Sequence, residues 1–235
     1  MKFAIIYYSK TGHTREMAEV IARGLAAAGG ETRFFSVEEA MDADYIDQCA
    51  GVIFGTPTYL ANTCWQMKQW FDEGSRGIKL AGKLGGVFAT AHYAQGGADV
   101  AIMTLLPHML VKGMLVYSGG AAHGKPYIHL GPVALDAVGN HYEECKADFE
   151  IFGRRFAEKL DGIRQVEVRV LVQVFEVEQQ LHPFAGIGRM RQSALEAVRD
   201  GGRCGHKGYS CAEDDAVDAC KQADRGHVGV TQNWD

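Results

Sequence analysis

The stretch Phe3-Ala4-Ile5-Ile6-Tyr7-Tyr8-Ser9-Lys10-Thr11-Gly12-His13-Thr14 decides the fold of this chain. An apolar run of strand length ends in a hydroxyl-rich loop, and the loop opens directly into an amphipathic helix. N–H groups of such a loop and of the first helical turn point at one spot, where the helix dipole favours negative charge. The hydroxyls of Ser9, Thr11 and Thr14 add donors, and Gly12 lets the backbone approach closely. The stretch therefore predicts an anion-binding loop.

The pattern of this loop narrows the kind of anion. Neither the P-loop pattern GxxxxGK[ST] nor the dinucleotide pattern GxGxxG occurs here, so ATP and a Rossmann-type dinucleotide are both disfavoured. Lys10 is the only fixed cation of the loop. A set of hydroxyl and amide donors with one lysine fits the terminal phosphate of a mononucleotide.

Length and charge set the broad class of protein. The 235 residues allow one large or two small domains, and a formal net charge of −5 argues against nucleic-acid binding. No apolar stretch reaches the roughly 18 residues of a membrane span, so no membrane insertion is expected. The opening residues lack a signal-peptide pattern, and we expect a cytoplasmic protein. The six cysteines are then expected to be thiols or metal ligands rather than disulfides.

The first 160 residues alternate between strand and helix patterns. Strands are predicted at Phe3–Tyr8, Thr32–Phe35, Gly51–Gly55, Leu84–Thr90 and Met114–Ser118, and helices at His13–Ala28, Cys64–Glu73, Asp99–Lys112 and Tyr142–Leu160. Continuous apolar strands separated by helices predict an α/β fold whose parallel sheet is covered on both faces. Five strands in this rhythm fit the doubly wound order 2-1-3-4-5, with a mononucleotide at the switch point.

Three loops follow the carboxyl ends of predicted strands one, three and four, where ligands sit in such sheets. They are Ser9–Thr14, Thr56–Asn62 and Thr90–Gly97. The second loop offers an aromatic side chain and a proline-fixed turn, and the third offers two glycines, a histidine and a tyrosine. A phosphate loop with aromatic, glycine-rich walls suits a flat aromatic ring system that carries a ribityl phosphate tail.

The first loop, Ser9-Lys10-Thr11-Gly12-His13-Thr14, resembles the T/S-x-T-G-x-T phosphate loop of flavodoxin-like proteins. Further segments resemble the branch of flavodoxin-like NAD(P)H:quinone oxidoreductases and FMN reductases, namely Gly55–Tyr59, Met67-Lys68, Leu80–Lys83, Gly86–Thr90, Gly96-Gly97, Gly124–Tyr127 and Gly131-Pro132. The resemblance covers about residues 1–160. It implies FMN as cofactor, a five-stranded parallel sheet and a homo-oligomer, either a dimer or a tetramer.

The resemblance also implies which residues bind the cofactor. They are Ser9, Lys10, Thr11, Gly12, His13 and Thr14 at the phosphate, Pro57, Thr58, Tyr59 and Leu60 along the isoalloxazine ring, and Thr90, Ala91, His92, Tyr93, Gly96 and Gly97 at its pyrimidine edge. No side chain has to act as a nucleophile, because the chemistry belongs to the flavin. His92 and Tyr93 are the candidates for a catalytic role. The alternative interpretation is that Thr11 and Thr14 only cap the first predicted helix, and that the side chains of the third loop contact no ligand.

Three functions are compatible with these features. In the first, the protein is an enzyme that passes electrons from NAD(P)H through FMN to a quinone or a similar small acceptor. In the second, it is a flavodoxin-type electron carrier to protein partners. The first 163 residues hold 18 acidic against 15 basic residues, and this mild excess favours the enzyme, because a carrier is expected to be strongly acidic around its flavin. The long loop after the fifth predicted strand, roughly Gly119–Gly139, also exceeds what a minimal carrier needs. In the third, it is a flavin-binding regulatory subunit. The physiological acceptor and the choice between NADH and NADPH stay open.

Residues 163–235 have a different character and are predicted to form a C-terminal extension to a domain of residues 1–162. The period-two alternation over Arg164–Val174 predicts a half-buried strand, and Met190–Arg199 a short helix. The tail holds Cys204, His206, Cys211 and Cys220. Four such ligands could complete a tetrahedral zinc site, but the CxxC pair typical of these sites is missing. We therefore expect free thiols or a disulfide rather than a metal.

Overall fold

Strands and helices alternate along the chain in the computed structural model, which describes residues 1–137, 139 and 141–181. The strands are β1 (Lys2–Tyr7), β2 (Glu31–Ser36), β3 (Gly51–Tyr59), β4 (Asn62–Thr63), β5 (Leu84–Ala91), β6 (Leu115–Val116) and β7 (Val133–Leu135). The helices are α1 (His13–Ala27), α2 (Ala43–Gln48), α3 (Trp65–Gln69), α4 (Ala98–Val111) and α5 (Tyr142–Leu181). A π-helical turn, Trp70–Gly74, extends α3, and a 3-10 turn spans Ala121–His123.

The central sheet runs β2-β1-β3-β5-β6 with all neighbours parallel. This confirms the predicted doubly wound order 2-1-3-4-5. Two short strands lie off this path: β4 pairs antiparallel with β3, and β7 pairs parallel with β5. The pairing of β7 was not predicted, and neither was α2.

The side chains of β1 show why both faces of the sheet are covered. Successive residues of a strand point to opposite faces, and Ile5 and Ile6 are both fully buried. Ile6 belongs to the core beneath α2, α3 and α4, whereas Ile5 belongs to the core beneath α1 and α5. A strand buried on both sides reads as a continuous apolar run, as its sequence does.

Helices α1 and α5 cross at backbone contact. A Cβ atom added at Gly24 would lie 1.9 Å from the carbonyl oxygen of Glu150, and one added at Gly153 would lie 2.2 Å from that of Ile21. Each helix therefore presents a glycine to the main chain of the other. The crossing joins the carboxyl-terminal half of α1 to the amino-terminal half of α5.

The strand predicted over Arg164–Val174 is wrong, because these residues continue α5. Alternation in this stretch coexists with a spacing of three and four residues that suits a helix, at Leu160, Ile163, Val166, Val170 and Val174. Extending a helix that has already formed needs no new nucleus. No proline occurs between Pro132 and Pro183, so none interrupts the helix that begins at Tyr142. The predicted division between residues 162 and 163 falls inside α5 and stays a prediction.

Two further observations bear on the sequence predictions. Within the part of the chain that the structure describes, no helix has the length and apolar character needed to cross a membrane. The helix predicted at Met190–Arg199 and the possible metal ligands Cys204, His206, Cys211 and Cys220 lie outside the described residues.

The helix crossing gives a stability prediction. We expect Gly24→Ala to lower the free energy of unfolding by about 2–3 kcal/mol, because the methyl group must push α5 away from α1. Gly162→Ala is the matched control, since Gly162 is exposed in α5 and an added Cβ meets nothing within 4 Å. There the loss of glycine flexibility should raise stability by about 0.5–1 kcal/mol. Urea unfolding checks both values, and equal effects in the two variants would contradict the contact.

Candidate functional site

Three loops meet at the carboxyl edge of the sheet, because β1, β3 and β5 are neighbours. Tyr7 of β1 is paired with Gly55 of β3, and Pro57 of β3 is paired with Thr90 of β5. The segments that follow these strands therefore lie side by side. We call them the first loop (residues 9–14), the second loop (residues 56–62) and the third loop (residues 90–97).

The first loop is rich in hydrogen-bond donors. Gly12 adopts a left-handed conformation with φ 100° and is the N-cap residue of α1. As a glycine it has no side chain that could cap the helix. Instead the Ser9 hydroxyl accepts a hydrogen bond from the N–H of Arg15 at 3.2 Å. No acceptor within the described residues reaches the N–H groups of residues 11–14. Together with the dipole of α1, these donors suit an anion.

The threonines of the first loop take different positions. The Thr11 hydroxyl is on the exposed side of the loop, 3.4 Å from Nδ1 of His13. Thr14 is buried, and its hydroxyl makes a 2.8 Å hydrogen bond with the hydroxyl of Thr90. This buried bond joins the start of α1 to the end of β5, so it fixes the first loop against the third. Neither threonine hydroxyl caps α1.

The second loop is a hairpin, because β3 continues past the predicted end at Gly55 to Tyr59 and then pairs with β4. Thr58 pairs with Thr63 and Tyr59 with Asn62, which leaves Leu60 and Ala61 as the turn. Both turn residues have positive φ, 49° and 57°. This conformation normally selects Asn-Gly, and it costs a residue with a Cβ about 1–2 kcal/mol. Backbone strain of this kind concentrates at ligand clamps and switch regions.

One hydroxyl of the second loop lacks a partner. The Oγ1 atom of Thr58 is buried, yet no hydrogen-bond partner lies within reach among the described residues. Buried polar atoms are nearly always paired with protein, water or a ligand. Thr58 is one of the residues predicted to line the ring of a cofactor, and an unpaired hydroxyl at this place fits a polar ligand edge.

The second and third loops are in backbone contact. Gly97, with φ 85°, precedes α4, and a Cβ atom added there would lie 2.6 Å from Cβ and 2.7 Å from Cα of Ala61. Only glycine allows the two loops to approach so closely. The third loop also presents Tyr93, which is 65% exposed and stacks edge-on against His92 with ring centroids 4.4 Å apart.

Asp136 is a site residue that the sequence reasoning missed. It follows β7, and its carboxylate lies 2.6 Å from Nδ1 of His13 and 2.8 Å from Nδ1 of His92. Its own N–H donates to the carbonyl of Ala91 at 3.0 Å, which continues the pairing of β7 with β5. The sequence signal was the short apolar run Val133–Leu135 ending in an aspartate.

Helix α5 supports the first loop from the side. The Tyr142 hydroxyl donates to the carboxylate of Glu16 at 2.7 Å, and its ring lies edge-on to His13 with centroids 5.3 Å apart. Lys146 pairs with the same carboxylate at 2.5 Å. Hydrogen bonds from Lys146 and then Tyr142 lower the pKa of Glu16, whereas burial raises the pKa of Tyr142. Glu16, in the first turn of α1, is thus an ionised carboxylate whose negative charge is balanced by Lys146.

Several residues that were predicted to lie in loops of the site belong to strands in the structure. The three loops come together as expected, with Lys10 and Thr11 exposed on the first and Tyr59 and Leu60 exposed on the second. Thr90 and Ala91 belong to β5, and Pro57, Thr58 and Tyr59 belong to β3. Among the described residues, no group of three or more His, Cys, Asp or Glu side chains is arranged so that it could hold a metal ion.

Fold and site together define a doubly wound α/β protein with a loop rich in N–H donors, unpaired within the described residues, at its switch point. The sequence profile of the flavodoxin family matches residues 5–97. A flavodoxin from Clostridium saccharobutylicum is 45% identical over 164 residues, which are 69% of this chain and 99% of that protein. The chain therefore belongs to the flavodoxin family.

Two other similarities bear on function. An NAD(P)H dehydrogenase (quinone) from Geotalea uraniireducens is 33% identical over 165 residues, covering 59% of this chain and 78% of that protein. The crystal structure of a Fusobacterium nucleatum flavodoxin mutant bound to flavin mononucleotide aligns with a TM-score of 0.52 and 17% identity, over 67% of this chain and 96% of that one. At this identity the structural likeness shows the fold alone.

The contact between the second and third loops gives a prediction for ligand binding. We expect Gly97→Ala to weaken binding of FMN, the ligand that the sequence resemblance implies, by at least about tenfold, because the new methyl group displaces Ala61. Gly77→Ala is the matched control: its φ of 81° imposes the same backbone strain, but an added Cβ meets nothing within 4 Å. Isothermal titration with FMN measures both, and equal losses would refute the role of the contact.

Proposed function

We propose that this chain binds FMN at the carboxyl edge of its sheet and transfers electrons through it as a flavodoxin-type carrier. The observation that carries the proposal is the first loop, whose N–H groups at residues 11–14 find no acceptor in the described structure. Four amide donors with one lysine suit a single phosphate ester. The Fusobacterium flavodoxin that shares the fold is bound to flavin mononucleotide, which supports the same ligand here.

Each of the three loops would contact a different part of the cofactor. The first loop would hold the phosphate, the second loop would lie along the ring, and the third loop would meet the pyrimidine edge. When bound, FMN supplies the electron transfer, and the protein binds it, orients it and excludes water. The unpaired hydroxyl of Thr58 is available for a polar edge of the ring. Burial raises the pKa of Tyr59, which keeps its phenol neutral beside such a ring.

Two observations favour a carrier over an enzyme. The match to the Clostridium flavodoxin spans 164 residues and nearly all of that protein, so the long segment between β6 and α5 lies within the length of a flavodoxin relative. The length of this segment therefore no longer argues against a carrier. In addition, exposed apolar side chains surround the site at Leu60, Trp65 and Tyr93, and such a rim suits docking against another protein.

A second candidate is the enzyme first predicted, an NAD(P)H-dependent quinone reductase. It is supported by the Geotalea relative, which is named NAD(P)H dehydrogenase (quinone). In this case NAD(P)H would be the electron donor and a small quinone the acceptor, and the exposed ring of Tyr93 offers a flat surface for a planar substrate. The cytoplasmic location stays a prediction under either function.

Anaerobic titration distinguishes the two functions. After loading with FMN, we expect the protein to be yellow, and neither NADH nor NADPH should bleach its flavin absorbance faster than that of free FMN. Electrochemical reduction should show two resolved one-electron steps, since a carrier exchanges single electrons. Rapid bleaching by NAD(P)H followed by reoxidation with benzoquinone would instead establish the reductase. A protein that stays colourless with excess FMN would rule out both.

We also propose that the protein is a homo-oligomer in which a second copy of the chain packs against α4. This helix is apolar on its outer face as well, where Val100, Met103, Leu110 and Val111 are 49–86% exposed. Their spacing of three, seven and one residues places them along one side of the helix. A helix that is apolar all round is normally covered, and a two-fold contact of α4 with itself would cover it.

Sedimentation tests this surface. If a second copy packs on α4, Val111→Lys should shift the protein to the monomer, because it buries a charge in the contact. Leu60→Lys, which adds the same charge at a fully exposed apolar residue on the second loop, should leave the mass unchanged. A monomeric wild-type protein at high concentration would refute the proposal.

A further inference from the structure

Asp136 joins two loops of the site through two imidazoles. One carboxylate oxygen lies 2.6 Å from Nδ1 of His13 in the first loop, and the other lies 2.8 Å from Nδ1 of His92 in the third loop. The backbone of the aspartate is itself fixed, since its N–H donates to Ala91 and the next N–H donates to the carbonyl of His92 at 3.1 Å. The carboxylate is thus held at a junction of three elements.

The bond to Asp136 sets the orientation of His13. Its Nδ1 faces the carboxylate, with the Thr11 hydroxyl at 3.4 Å as a second neighbour. Its other nitrogen, Nε2, has no hydrogen-bond partner among the residues that the structure describes. The ring therefore stands in the donor-rich first loop with one nitrogen held and the other available, and in the imidazolium form both nitrogens are donors.

The other charged and titratable groups near His13 leave Asp136 as its carboxylate partner. From α1, Glu16 faces the ring, but Lys146 and the Tyr142 hydroxyl of α5 occupy its oxygens. From α5, Tyr142 presents its ring edge at a centroid distance of 5.3 Å. From the third loop, His92 binds the opposite oxygen of the same aspartate. Only Asp136 contacts a ring nitrogen of His13 with a carboxylate in the described structure.

We propose that Asp136 is a positioning residue for the phosphate of FMN. It accepts the Nδ1–H of His13 and stabilises the imidazolium form, so that Nε2–H becomes a charged donor to the phosphate. The same carboxylate ties the third loop to the first through His92. The inference rests on the proposed binding of FMN and adds the residue that organises it.

The test compares FMN with riboflavin, which has the same ring and no phosphate. In Asp136→Asn the charge is gone, and the single amide oxygen can accept from only one of the two imidazoles, because the amide NH2 is a donor. We expect this variant to lose about tenfold in FMN affinity, the size of one charge-assisted hydrogen bond, with riboflavin affinity changed less than about twofold. Asp72→Asn is the control, since it removes the same charge from an exposed pair with Lys68. Its two affinities should both be unchanged.

The variant His13→Gln supplies a second readout. It removes the imidazole that Asp136 orients, so it should also lower the affinity for FMN, with riboflavin affinity changed less than about twofold. Circular dichroism confirms that all variants are folded.

Several outcomes would overturn the inference. Asp136→Asn that binds FMN as tightly as the wild type would show that the charge has no part in binding. Equal losses for FMN and riboflavin would show that the aspartate only shapes the loops. A wild-type protein that binds neither ligand would remove the proposed function and this inference with it, whereas tight FMN binding by every variant would remove the inference alone.

Discussion

Parallel pairing of β1, β3 and β5 is the constraint on which the site depends. It places the ends of three strands at one edge of the sheet, and short contacts then fix the loops that follow. The hydroxyls of Thr14 and Thr90 bond at 2.8 Å, and Gly97 admits the backbone of Ala61. Because each contact joins two different loops, no loop of the site is positioned independently of its neighbours.

The strand, turn and helix start at the first loop and the architecture were predictable from the sequence because they depend on local patterns. The run Phe3–Thr14 contains its own strand, turn glycine and helix start, and apolar strands separated by helices determine the sheet order. The conformation of the Leu60–Ala61 turn was not predictable, because its positive φ values break the usual preference for glycine and asparagine. It is maintained by Gly97, which is distant in sequence.

Two other features depend on information that a local pattern does not carry. Arg164–Val174 satisfies both a strand period and a helix period, and the helix that begins at Tyr142 decides between them. Asp136 acquires its role only when β7 pairs with β5 and brings it to His13 and His92. A three-residue strand gives too weak a signal for that pairing to be expected. Residues that act across the sheet are therefore the ones that sequence reasoning misses.

The carrier and the reductase share most of this site. Both would bind the cofactor with the same three loops, and both would leave a face of the ring accessible. They differ in what approaches that face, a protein surface or a small planar molecule. The three loops would therefore serve either function, and they do not distinguish a protein partner from a small-molecule electron donor. The exposed side chains at the rim, rather than the buried ones beneath, are where the two functions would diverge.

The hairpin tip of the second loop separates two tasks. Its main chain is constrained at Ala61 by the third loop, whereas the side chain of Leu60 is fully exposed and packs against nothing among the described residues. The positive φ of Leu60 limits which residues fit there, and asparagine and glycine fit it best. Within that limit, a substitution at residue 60 would change the surface that meets a molecule approaching the tip and leave the contact between Ala61 and Gly97 in place.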